Sequence, residues 1–199
     1  EIGTVFMGKL LYLFLMVFLA AQAMPAGLPG NFYHIFFFST VVGGLLNTDM
    51  FNPTKDKYYA MFLMRMDARQ YTLVNYGYFL LKTLVGFLPF TLLFGLLSKA
   101  PFYLCLLMPL LVCGVKLCVT AVNLLLSRGG TKVRSENLPT PVVWGGVAVG
   151  LAAAYGLPAL GYAMNGLVFG VLCGLAIIGG GFSLGYVLRF RAYRDMYRV

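Results

Sequence analysis

Long apolar runs alternate with short connections along this chain, and nearly every Lys and Arg falls in every second connection. The stretch AQAMPAGLPGNFYH after the first run carries no charge, and the next connection holds Lys55, Lys57, Arg65 and Arg69. Only Lys99 follows the third run, and Arg128, Lys132 and Arg134 follow the fourth. The connection around residues 162–166 is uncharged, and the chain ends on Arg189, Arg191, Arg194 and Arg198. Counting Lys9, one set of connections carries 12 basic residues and the other carries Lys99 alone. Basic residues mark the cytoplasmic loops of membrane proteins. The pattern therefore predicts six membrane spans with both termini in the cytoplasm.

The composition agrees: 11% of residues are charged, against about 25% in a soluble domain. A spanning helix needs about 20 apolar residues, and the runs place spans near 5–24, 32–46, 74–97, 102–126, 142–162 and 167–188. Lipid offers no partner to free backbone groups, so helices or closed barrels are required. Runs such as LLYLFLMVFLA and LCLLMPLLVC lack the alternating polarity of barrel strands. The expected fold is all-α, a polytopic membrane helix bundle forming one transmembrane domain over 1–199 with no soluble domain. The chain begins at Glu1, and its last run leads straight into a basic tail, so it is expected to be part of a longer protein. The first run lacks a cleavage-site pattern and reads as a true span, not a signal peptide. The net charge of +9 follows topology and forms no stripe with base-stacking aromatics. Anionic membrane lipid, not nucleic acid, is the expected partner of these residues.

Few side chains inside the spans suggest chemistry. Cys105, Cys113, Cys118 and Cys173 form no C-x-x-C pair and read as packing groups. His34, in NFYHIFFF, reads as an anchor at the outer interface. Pro89, Pro109 and Pro158 each remove a helix hydrogen bond. The last two runs contain Gly146–Gly150, Gly170–Gly174 and Gly181–Gly185 at G-x-x-x-G spacing, which lets helix backbones approach closely. Packing of the fifth and sixth helices on each other is the simpler reading, and a dimer face is the other. Two lysines lie within runs. Lys82 is placed to snorkel to the inner interface. Lys116 is 12 residues from Arg128, about 18 Å along a helix, and so sits near mid-membrane. A charge there is costly and calls for a polar path or a partner such as Thr120 or Asn123, unless helix tilt lets the ammonium snorkel to the interface. Lys116 and Asn123 are thus candidates for a translocation path.

The connection at 49–71 has a helical pattern. Asn52-Pro53 is a good helix start, and Tyr58, Tyr59, Phe62, Leu63 and Met66 share one face flanked by Arg65 and Arg69. This predicts an amphipathic helix over about 53–70 that runs into the third span, lying on lipid or docking a cytoplasmic partner. The connection at 127–141 is turn-rich. No P-loop, H-E-x-x-H or G-x-S-x-G occurs, and the acidic residues all lie at ends or in connections. No enzymatic activity and no bound cofactor or metal is expected of this chain.

The segment FNPTKDKYYAMFLMRMDARQYTLVNYGYFLLKTLVGFLPF resembles the cytoplasmic coupling segment and following span of bacterial ATP-binding-cassette (ABC) exporter permeases. The order of two spans, a cytoplasmic amphipathic helix and four further spans is similar too, as is the basic tail FRAYRDMYR. The likeness rests on topology over most of the chain and on sequence mainly over 51–90. Where many such permeases carry re-entrant helices between the last two spans, this chain has only YAMNG. The resemblance implies a permease subunit in the plasma membrane, exporting an unidentified substrate with ATP hydrolysed by a separate subunit. That ATPase would dock on Tyr58, Tyr59, Phe62, Leu63, Arg65, Met66 and Arg69. A second permease half or a homodimer partner is implied as well. The alternative is a non-transporting membrane scaffold whose amphipathic helix binds lipid.

Overall fold

In the computed structural model the described residues are 2–46, 59, 64–128 and 140–190; they are helical with short connections, and none of them is in a strand. Ile2–Leu11, a π-helical stretch Tyr12–Leu19 and Ala20–Ala23 run on as one helix, α1. It is followed by α2 (Gly30–Leu46), α3 (Ala68–Leu97), α4 (Phe102–Arg128), α5 (Thr140–Ala159) and α6 (Gly166–Arg189). Five of these are long and apolar enough to cross a membrane. The second helix has 17 residues, about 26 Å of rise against a hydrocarbon core of about 30 Å. It is also the most enclosed, since Asn31, Phe32, Tyr33, His34, Ile35 and Phe36 are buried in succession on all sides. A helix that is buried on all sides belongs inside a bundle, and the polar groups it carries need partners there.

The helix ends correct the sequence reading in two places. The expected helix over 53–70 does not run unbroken into the third span: residues 64–67 are non-helical, and Arg65 has a left-handed φ of 52°. Asp67 is extended, and its carboxylate accepts the Arg69 N–H at 3.2 Å as the N-cap of α3. A carboxylate there satisfies an amide that would otherwise lack a partner, which favours a fresh start over continuation. The fifth helix stops before 162. Gly161 takes a φ of 89°, and the Tyr162 N–H returns to the Leu157 carbonyl at 2.9 Å.

Contacts between helices set the two ends of the bundle. At one end Gly30 lies against Ala163 and Met164, and Gly95 approaches Cys105 and Phe32. At the other the Arg69 guanidinium donates to the Leu188 carbonyl at 2.5 Å, and Gly146 meets Leu45. The connections around 24–29, 98–101 and 160–165 thus share one side, and residues 67–69 and 188–190 share the other. That is the pairing the basic residues require. With the basic end cytoplasmic, cysteines placed singly at 28 and 100 in a cysteine-free background are expected to react with an impermeant reagent only from outside, and a cysteine at 190 only from inside.

The most extensive packing joins α4 to α6, then α2 to α5 and α3 to α4. The core includes Tyr33 stacked on Phe169 at 4.9 Å between centroids, with Phe32, Leu104, Met108 and Leu111 around it. The fifth and sixth helices do not form a packed pair, which corrects the reading of the glycine motifs. Gly146 and Gly150 instead meet Leu45 and Val42 of α2, and Gly170 meets Leu104 of α4. Gly174, Gly181 and Gly185 meet no side chain within 4 Å of where a Cβ would stand. The closest backbone crossing involves a glycine outside those motifs, Gly114, against Gly180 and the Ala176 carbonyl.

Candidate functional site

Five helices line a half-open cavity of about 610 Å³. The first helix packs on α3 and α2, and α4 packs on both of these from the opposite side. This ring of four is joined by α5, which lies on α2. The first helix contributes Lys9, Tyr12 and Met16; α2 contributes Ser39 and Thr40; α3 contributes Phe79, Lys82, Thr83 and Phe87. The fourth adds Val112 and Lys116, and the fifth Val147, Leu151 and Tyr155. Lys9, Lys82 and Lys116 thus meet in one cavity, together with five hydroxyl-bearing side chains.

The lysines sit at one depth. Lys9 is 14 residues before the end of α1 at Ala23, Lys82 is 15 before Leu97, and Lys116 is 14 after Phe102. At about 1.5 Å per residue each is about 21–23 Å from the non-basic end of its helix, in the half of the membrane nearer the basic end. Local packing orients two of them. The Lys9 ammonium donates to the Lys82 carbonyl at 2.8 Å and lies 5.4 Å from the Phe87 centroid. Gly86 makes this possible, because a Cβ there would collide with the Lys9 ammonium. The Lys116 ammonium stands over the Phe79 ring at 4.4 Å, a cation–π contact. The π-helical stretch of α1 places Tyr12 and Met16 on the cavity wall, and the Tyr155 hydroxyl donates to the Met16 carbonyl at 2.9 Å. Segments of π-helix recur at functional sites. Thr83 bonds its own helix, donating to the Phe79 carbonyl at 2.9 Å. Among the described residues no carboxylate lines the cavity.

The candidates named from sequence separate here. Lys116 lines the cavity, but Asn123 does not; two turns further along α4 it is buried, and its Oδ1 meets no hydrogen-bond partner among the described residues. Thr120 is engaged by the Tyr76 hydroxyl at 2.8 Å. The Arg69 guanidinium holds the end of α6, donating to the Leu188 carbonyl. Tyr59, Arg65 and Met66 are exposed; Tyr58, Phe62 and Leu63 lie outside the described residues. His34 is not an interfacial anchor. It is buried between α2 and α5, its Nε2–H donating to the Ala153 carbonyl at 3.0 Å.

The sequence alone does not single out Lys9 as a site residue, because it sits among the first residues and counts with the loop charges. Its place beside Lys82 follows only from how α1 lies on α3. Among the described residues no cluster of His, Cys, Asp or Glu could hold a metal ion. The arrangement is suited to binding, with positive charge and hydroxyls on one part of the wall and aliphatic and aromatic groups on the rest. No protein-family profile matches the chain, and no curated protein or solved structure is significantly similar to it.

Proposed function

We propose that this chain is the membrane subunit of a transporter driven by a separate ABC-type ATPase. The observation that carries the reading is the cavity itself. Charged side chains inside a membrane are costly and are kept where they serve a binding site or a pathway, and here three of them converge in one space. A scaffold held in the membrane by its apolar surface has no use for that arrangement. In this reading α2 completes the set of six spans, with both termini in the cytoplasm and the plasma membrane as the location. The ATPase docks at the basic end, on the segment around residues 58–66 that leads to the Asp67 cap. There Tyr59, Met64 and Met66 stand exposed, as apolar groups that fill a groove on a partner would. Closure of the ATPase is transmitted through α3, whose start is tied to α6 by Arg69 and whose middle carries Lys82. The open glycines of α6, Gly174, Gly181 and Gly185, suit close approach of a second permease half.

The test is affinity purification of the tagged chain from its own host. A P-loop ATPase is expected to accompany it, and Phe62→Asp is expected to release that ATPase while membrane insertion is kept. A carboxylate buried at an interface without a partner costs several kcal/mol, enough to lose a micromolar contact. Arg65→Glu is expected to weaken docking less, since rim charges act mainly on association rate and salt dependence. An ATPase retained by Phe62→Asp would point to a lipid-facing segment instead.

A further inference from the structure

We infer that the cavity is a binding site for the phosphate group of an anionic amphiphile, with Lys9 and Lys82 gripping the headgroup beside Lys116 and the apolar wall holding the tail. The inference rests on the cavity being a ligand site, as in the reading above, but not on ATP-driven transport.

Charge comes first. Three ammonium groups at one depth in a low-dielectric setting repel one another, and an anion placed among them removes that repulsion. The Lys9 contact is with a backbone carbonyl and a ring face, which orients the ammonium and leaves its charge in place. The Lys82 ammonium has no hydrogen-bond or ion-pair partner among the described residues, and its side chain is exposed. Asp67, the acidic residue among those described, caps α3 far along the helix from Lys82 and does not line the cavity. Lysine is a strong ligand for phosphate as a point charge, and hydroxyls such as those of Ser39 and Thr40 add donors.

Shape selects the amphiphile over a small anion. Beyond the lysines the wall is apolar, with Val42, Leu46, Val112, Val147 and Leu151. The volume of about 610 Å³ is that of a site for a drug-sized ligand, far more than a phosphate ion fills. The level of the lysines, about 21–23 Å from the non-basic ends of their helices, is about 8 Å inside the nearer edge of a ~30 Å hydrocarbon core. A headgroup drawn that far inward keeps its acyl chains in an apolar setting.

The test is native mass spectrometry of the delipidated full chain in detergent, titrated with dioleoyl phosphatidic acid, dioleoyl phosphatidylcholine or inorganic phosphate. One phosphatidic acid is expected to bind saturably, and phosphatidylcholine at least about tenfold more weakly, because its choline offsets the phosphate charge. Lys9→Gln/Lys82→Gln is expected to weaken phosphatidic acid about tenfold or more. Lys82→Arg, which keeps the charge, is expected to retain more binding than Lys82→Gln, and Lys99→Gln, outside the cavity, is expected to leave binding unchanged. Inorganic phosphate is expected to compete only at far higher concentration. Equal affinity for phosphate and phosphatidic acid would overturn the amphiphile in favour of a soluble anion. Equal loss on Lys99→Gln, or undiminished binding by the double variant, would overturn the site. None of these outcomes depends on the ATPase, so the inference and the coupling reading fail separately.

Discussion

Replacing Gly114 by Val is expected to lower clearly the recovery of folded protein after thermal challenge in detergent. At this crossing α4 and α6 touch backbone to backbone. A Cβ on Gly114 would stand 2.5 Å from the Ala176 carbonyl oxygen, and one on Gly180 would stand 2.7 Å from the Gly114 Cα. Nothing there is the end of a flexible side chain, so the helices must separate along the most extensive interface of the bundle. Overpacking a close-packed site costs about 1–3 kcal/mol, a large share of a typical stability of about 5–15 kcal/mol. Two comparisons isolate the cause. Gly86→Ala also collides, but with the mobile end of Lys9, and is expected to cost less than about 1 kcal/mol because that side chain turns aside. Gly174→Ala meets open space and is expected to be neutral or to stabilise by about 0.5–1 kcal/mol, the helix preference of Ala over Gly. Size-exclusion chromatography with thermal challenge checks all three. Equal recovery of Gly114→Val and Gly174→Ala would contradict the crossing.

Asn31→Leu is expected to destabilise the corner between the first two helices by about 2 kcal/mol. The fully buried Asn31 amide donates to the carbonyls of Ala21 at 3.2 Å and Met24 at 3.1 Å, at the end of α1 where carbonyls lack helical partners. Removing the donor strands both acceptors, at about 1–3 kcal/mol for a buried group, moderated by the alternatives a membrane protein finds. Asn31→Asp keeps the shape, removes both donors and adds a charge, so it is expected to be worse. Unfolding by SDS titration from mild detergent micelles gives the order. A midpoint unchanged by either substitution would mean that other contacts hold this corner.

Much of the bundle was legible in hydropathy and charge, because apolar length and loop charge are local properties. The run at 102–126 became Phe102–Arg128, and that at 167–188 became Gly166–Arg189. The third helix begins earlier than its apolar run, at Ala68, because Asp67 supplies a cap while the polar residues ARQY can still be helical. Three-dimensional neighbours were not legible. A G-x-x-x-G motif reports that a helix face is small, not which helix meets it, and adjacency in sequence wrongly suggested α5 with α6. His34 read as interfacial because an isolated imidazole among aromatics has no sequence sign of its carbonyl partner 119 residues away. The lysine cavity was half visible: Lys116 announced itself by depth, whereas Lys9 and Lys82 each had an innocent reading until the helices brought them together.

The most direct test of the coupling reading is ATP hydrolysis by the ATPase that accompanies the chain, reconstituted in liposomes with and without it. Hydrolysis is expected to rise when the chain is present, to rise further when phosphatidic acid is added, to fall back to the rate of the ATPase alone with Phe62→Asp, and to lose the phosphatidic acid increment with Lys9→Gln/Lys82→Gln. A rate that is the same with the chain, without it and with either variant would contradict the account.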